Sequence, residues 1–228
     1  MKAKDLHSWH VTTAEARDIQ FWLRDMVVKE SDSLTPRFVT GADISFSRDG
    51  AATAAAVTLS FPDLELVDSV VIEGRASFPY VPGLLTFREA PLLLSAFEQL
   101  KITPDVVLVD GQGIAHPRRF GVASHLGVLL DIPTVGCAKS RLCGEHEDLP
   151  LEEPGHTLLK DGGEIIGAAV RTRTGSRPLY VSIGHRVDLP TAIDLVLACC
   201  RGYRLPEPTR LAHLAAGDRR LAASTPHG

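Results

Sequence analysis

Apolar positions along the chain repeat with two different periods, and the order of those periods outlines a fold. Thr12-Thr13-Ala14-Glu15 has the form of a capping box, and Ala16, Ile19, Leu23, Met26 and Val27 behind it share one helical face. This predicts an N-terminal helix, broken by Ser31-Asp32-Ser33-Leu34-Thr35-Pro36. Three strand-like runs follow, Arg37 to Phe46, Ala51 to Ser60 and Leu64 to Glu73. Their joints, Arg48-Asp49-Gly50 and Phe61-Pro62-Asp63, carry turn residues, so the runs form an antiparallel meander.

Beyond the meander the pattern changes. Phe78-Pro79-Tyr80-Val81-Pro82-Gly83 reads as a stiff loop, because two prolines restrict its backbone. Phe87, Ala90, Leu94 and Phe97 then recur at helical spacing, giving a helix that closes near Leu100. The Val-rich run Asp105 to Asp110 lacks alternation, as a strand buried on both faces of a parallel sheet does. A helix marked by Val122, Leu126, Leu129 and Leu130 leads to a fifth strand, Ile132 to Cys137. Later stretches read as two more strands, Gly162–Arg171 and Leu179–Ile183, and two helices, Thr191–Arg201 and Pro206–Ala216. The prediction is one α/β domain over residues 1–216, built on a mixed five-stranded sheet with helices on its faces, and a disordered tail from Gly217 to Gly228. Meander followed by alternating helices and parallel strands is the order of ribonuclease H-like folds, one choice among several on order alone.

Composition narrows the partners. With 228 residues, 44% of them hydrophobic and 23% charged, the chain can build its core without a disulfide or metal staple. A net charge of −4 argues against holding nucleic acid by overall electrostatics, so such a role would need a local basic surface. Arg118/Arg119, Lys139/Arg141 and Arg171/Arg173/Arg177 are the clusters available, each with a solvated face as its plainer account. Cys137, Cys143, Cys199 and Cys200 lack zinc spacing and read as reduced thiols. The N-terminus lacks a signal-peptide core and no apolar run approaches membrane-spanning length, so a cytoplasmic protein is expected.

Three carboxylates stand out by placement: Asp43 in the first strand, Glu89 early in the helix after the meander, and Asp110 at the end of the fourth strand. In a meander rejoined by a parallel strand, the first and fourth strands can be neighbours, letting Asp43 and Asp110 face each other with Glu89 above. Converging acids need a cation or a proton. An all-oxygen set suits a hard ion such as Mg²⁺, and points to phosphodiester hydrolysis. Plainer readings stand beside this one. Asp43 could end a strand in a turn, Glu89 could complete a capping box with Thr86 (against which Pro91 counts), and Asp110 could simply open a turn with Gly111.

Near the same sheet edge, His116 could touch an attacking water or a phosphate, and Lys139 could offer a point charge to a phosphate. Pro79-Tyr80-Val81-Pro82 could be a wedge that enters a duplex, or a core Tyr in a Pro-rich turn. Gly111, Gly113 and Gly121 could admit a base or phosphate closely, or serve tight helix–strand packing.

Together, the motifs resemble the endonuclease V family. They are Gly41-Ala42-Asp43-Ile44-Ser45, Pro79-Tyr80-Val81-Pro82-Gly83, Phe87-Arg88-Glu89, Val109-Asp110-Gly111-Gln112-Gly113 with His116-Pro117-Arg118, Gly136-Cys137-Ala138-Lys139-Ser140 and Ser182-Ile183-Gly184-His185. The resemblance implies a ribonuclease H-like fold and cleavage of the second phosphodiester bond 3′ to a deaminated purine, chiefly deoxyinosine in DNA. It implies Mg²⁺ (or Mn²⁺) at Asp43, Glu89 and Asp110, and Tyr80 in a wedge flanked by Pro79 and Pro82. A hypoxanthine pocket is implied near Gly83, Leu85, Gly111 and Gly121, with His116 and Lys139 as phosphate or water contacts. His213 lies near a histidine of the family's last helix, without an assigned role. Inosine-containing RNA is the alternative substrate and a non-catalytic lesion binder the alternative class; a monomer is expected. Gly144-Glu145-His146-Glu147-Asp148 matches no motif and reads as a solvated loop.

Overall fold

A computed structural model describes residues 1–31, 34–150 and 152–217. Most of the tail expected to be disordered, residues 218–228, lies outside the described residues. Helix α1 (Thr13–Leu23) starts on the predicted capping box, with Thr12 as N-cap and Glu15 reaching back to its backbone N–H. Strands β1 (Phe38–Phe46), β2 (Ala51–Ser60) and β3 (Leu66–Arg75) form the antiparallel meander. Then come α2 (Leu85–Gln99), β4 (Val106–Val109), α3 (Val122–Leu130) and β5 (Thr134–Ala138). Strands β6 (Gly155–Asp161), β7 (Glu164–Arg171) and β8 (Leu179–His185) follow, and α4 (Leu189–Ala198) and α5 (Glu207–Ala216) close the order.

The sheet is mixed, as expected, but has eight strands in the order β3-β2-β1-β4-β5-β8-β7-β6, not five. Strand β8 returns antiparallel to β5 and carries the β6–β7 hairpin outward, so the later strands extend the same sheet. Strand β6 had escaped the pattern because it is an edge strand: most of its positions are solvated and it bears His156, Lys160 and Asp161. Gly162 and Gly163, expected to begin a strand, instead form its turn at positive φ, where a side chain would be strained. Glu145 pairs with Lys160 across this edge, so the charged loop is tied to the sheet at one point while Glu145, Glu147 and Asp148 stay solvated, as expected.

Alternation along the central strands separates two apolar layers. Val107 and Val109 of β4 face α2 and α3, whereas Val106 and Leu108 face the layer that includes α4. The same parity places Asp43 and Asp110 on the second side. Helix α5 lies against β1 and β2 there, and its approach depends on Gly41. A Cβ at Gly41 would come within 1.9 Å of the Pro208 carbonyl oxygen, so backbone meets backbone. Among the described residues no helix is long and apolar enough to cross a membrane.

Replacing Gly41 by Ala should push α5 off the sheet and cost ~2 kcal/mol, in the range of overpacking substitutions. Urea unfolding measures the loss. Unchanged stability would mean that the helix yields freely.

Candidate active site at the end of the parallel strands

Strands β1 and β4 run parallel, with Ala42 opposite Val109, so the next residues of each are Asp43 and Asp110. The Asp110 N–H donates to the Ala42 carbonyl at 2.9 Å, extending the ladder into the acid pair. Two carboxylates thus stand side by side on one side of the sheet, Asp43 within β1 and Asp110 just past the carboxyl end of β4, where ligands of open α/β sheets bind. Glu89 approaches from α2, on the other side. Thr86 lies inside that helix, whose N-cap is Leu84 without a side-chain bond, so no capping box claims Glu89. Pro91 sits in the helix, beyond the first turn.

Burial, then the neighbouring Asp43 and Asp110, push the Glu89 carboxyl up to about 8. Asp43 is buried and also raised, first by desolvation and then by Asp110, while a hydrogen bond from His213 opposes the rise. The side chains that partner the acids come from distant segments. His213 Nδ1 of α5 lies 2.6 Å from Asp43 Oδ2, and Lys139 Nζ, just after β5, pairs with Asp110 and lies 3.3 Å from the same imidazole nitrogen. A backbone carbonyl steadies Lys139, since the Arg204 guanidinium donates to the Lys139 and Pro178 carbonyls. Asp43, Asp110 and His213 each bring a ligand atom within 4.8 Å of the others, a set that could hold a metal ion. The two carboxylate oxygens suit Mg²⁺ or Mn²⁺, and the imidazole beside them suits a first-row divalent ion.

Beside the acids opens a cavity of about 250 Å³. Glu89, Asp110 and Lys139 line it together with Gly83, Leu85, Gly111 and Gly121. Tyr80 stands at its rim, 71% exposed, which rules out the core-tyrosine reading of that loop. Gly83 has φ +77°, and its carbonyl accepts three bonds: from Gln20 Nε2 at 3.0 Å, His116 Nε2 at 3.0 Å and Arg118 Nη2 at 2.6 Å. His116 is buried, and its Nδ1 accepts the Arg118 N–H at 3.1 Å. Burial and the Arg118 charge bring its pKa down to about 4, so the ring is neutral. Both ring nitrogens are therefore hydrogen-bonded within the protein, while the residue itself lines the cavity.

Gly111 and Gly121 serve packing as well as lining the cavity. A Cβ on Gly111 would meet Val122 Cγ1 at 2.3 Å, and one on Gly121 the Gln112 carbonyl at 2.3 Å. The Arg118/Arg119 cluster is not a free basic face: Arg118 braces the Gly83 loop and Gln20, and Arg119 pairs with Asp161 and Glu164. Gln20 and Arg204 were invisible as site residues, because each acts on a backbone carbonyl far away in sequence.

Comparison with known proteins agrees with this geometry. A family model described as endonuclease V matches residues 22–214. The endonuclease V of Trichormus variabilis is 52% identical over 215 residues, covering 93% of this chain and 97% of that protein. The crystal structure of endonuclease V from Streptomyces avermitilis superposes with a TM-score of 0.87 at 40% identity, covering 95% and 96% of the two chains. That of Ciona intestinalis, in complex with a 24mer DNA containing an inosine followed by a ribo-adenosine, gives 0.74 at 29% identity, covering 90% and 95%.

A carboxyl raised from 4.5 to about 8 binds a proton that the unfolded chain releases, so its contribution is full below 4.5 and is lost as pH rises through 8. Glu89→Gln should then stabilise the chelator-treated protein by ~2 kcal/mol at pH 8 and hardly at pH 4.5. Thermal unfolding at both pH values checks it. An equal gain at both would show that like-charge repulsion is not being relieved.

Proposed function

Because the chain belongs to the endonuclease V family, we propose that it is a DNA repair endonuclease that turns deoxyinosine out of a duplex and hydrolyses the second phosphodiester bond 3′ to it. One observation carries the reading. The acids Glu89 and Asp110 line the same small cavity as the glycine-bounded walls that would take a single base. A site for chemistry and a site for recognition are continuous.

Each residue then has a task. Asp43, Glu89 and Asp110, with His213 at Asp43, would hold Mg²⁺, for which Mn²⁺ substitutes. When bound, this ion supplies an activated water and stabilises the leaving oxygen. Lys139, which pairs with Asp110, would offer its ammonium to the substrate phosphate. His213 keeps Asp43 oriented through the 2.6 Å contact. Tyr80, between the rigid Pro79 and Pro82, fills the gap left in the base stack. Gly83, Leu85, Gly111 and Gly121 close round the extruded base, and His116 acts through Gly83, holding the loop where the base enters. The protein is read as a monomer of the cytoplasm. DNA is read as the substrate because the Ciona intestinalis relative was captured on a DNA strand, one that carries an inosine followed by a ribo-adenosine.

Cleavage mapping on an end-labelled inosine duplex, with and without chelator, tests lesion dependence, metal dependence and cut position together. Nicking should appear only with Mg²⁺ or Mn²⁺, one nucleotide beyond the lesion's own 3′ bond. The Asp43→Ala/Asp110→Ala double variant should nick at least ~1,000-fold more slowly, roughly 4 kcal/mol of barrier. Intact nicking by that variant overturns the assignment. Faster cutting of the matched ribo-inosine strand would move the substrate to RNA.

A further inference from the structure

Residues 1–11 run as a strap across the layer formed by α2 and α3. Met1, Ala3, Leu6 and Trp9 pack on that layer, the Lys4 N–H donates to the Leu129 carbonyl at 2.7 Å, and Lys4 Nζ pairs with Asp131 at 3.0 Å. At the strap's centre His7 meets His125 of α3, Nε2 to Nε2 at 2.7 Å. Aromatic rings surround the pair. Trp9 lies 4.5 Å from His7 and 5.4 Å from His125, Phe87 lies 5.6 and 5.5 Å from them, and Phe120 lies 4.9 Å from His125.

The hydrogen bonds determine where the protons are. His7 Nδ1 lies 2.9 Å from the Ser8 carbonyl oxygen, which can only accept, so Nδ1 carries the hydrogen. In the neutral ring Nε2 of His7 is then the acceptor, and His125 Nε2–H donates to it. That leaves His125 Nδ1 as a bare lone pair, fully buried and without a partner among the described residues. A proton added to His7 Nε2 would turn the acceptor into a second donor facing the first. One added to His125 Nδ1 would create a buried cation enclosed by aromatic side chains and a second imidazole. The first breaks the contact; the second keeps the His125 Nε2–H donor in place but charges a ring in a fully buried aromatic setting.

The strap sits on the two walls of the cavity. Phe87 is two residues before Glu89 on α2, and Phe120 immediately precedes Gly121, where α3 begins. We propose that the neutral His7–His125 pair is a latch: it fixes the N-terminal strap across α2 and α3, positions Glu89 against Gly121, and opens as the pair takes up a proton. Its positioning role rests on the function proposed above, whereas the opening does not.

Few other charges bear on the pair. Asp5, on the strap, favours protonated His7, but burial outweighs it and holds the ring below its ordinary 6.5; His125 is held well below by burial and by His7. On α2, Arg88 is turned to the Phe78 carbonyl and the Phe46 ring, and Glu89 to the acids. Past the end of α3, Asp131 is paired with Lys4 and Arg186. The other strap charge close by, Lys4, is engaged in that pair. With both folded-state values lowered, the stabilisation is full above 6.5 and is lost as pH falls below it.

The chain has two tryptophans, Trp9 and the exposed Trp22 on α1, so Trp22→Phe leaves Trp9 as the sole reporter of the strap. Its emission, and protection of the strap from protease, should change between pH 8 and pH 5 with a midpoint below 6.5, while far-UV circular dichroism holds. Adding His7→Gln, which retains an acceptor without a titrating group, should flatten that change, as should His7→Phe. His7→Lys, a permanent cation, should open the strap at pH 8 and slow nicking of the inosine duplex about tenfold. A transition that persists in His7→Gln and His7→Phe, or no transition at all, overturns the latch. Full nicking by His7→Lys overturns the positioning role. Absence of nicking in the unmodified protein would count against the proposed function, with the Trp9 titration still deciding the latch.

Discussion

Repulsion among three acids is the constraint to which this structure answers. Asp43 and Asp110 sit side by side because β1 and β4 run parallel and in register, and Glu89 closes over them from another layer. In water such carboxylates would separate. Here the sheet and α2 hold them, and the remedies are visible: Lys139 on Asp110, His213 on Asp43, and a proton retained by Glu89. Each remedy is one a cation could replace. The arrangement is poor for stability and well suited to binding a hard ion, a conflict common at functional sites.

A second region is organised by one carbonyl. Gly83 turns at positive φ and offers its oxygen to Gln20, His116 and Arg118, side chains from α1 and from the loop after β4. The loop that carries Tyr80 is thus fixed at its base and free at its tip. Exposure of Tyr80 and burial of His116 express one design: a stiff projecting element anchored by hydrogen bonds at its base.

Much of this was legible in the chain. Val106 to Val109 announced a strand buried on both faces, and the capping box at Thr12 and the meander behaved as local chemistry requires. The placement of Asp43 beside Asp110 followed from strand order. What could not be read depended on distant backbone. Strand β6 is solvated along most of its length and so lacks an apolar period. His116 looked free because its partner is a carbonyl 33 residues away. His213 reaches Asp43 only because Gly41 lets α5 touch the sheet, and nothing local to either residue signals that meeting.

The Gly41–Pro208 contact also has a meaning in time. Asp43 and its imidazole partner are 170 residues apart, and α5 is the last helix described. During synthesis, β1 to β5 and the walls of the cavity emerge while residues 207–216 are still to come. At that point the chain carries both acids but not His213. Completion of the site is deferred until α5 docks on Gly41, so a chain cut short before that helix lacks the group that orients Asp43. For a nuclease, assembly order of this kind would act as a safeguard against unfinished copies.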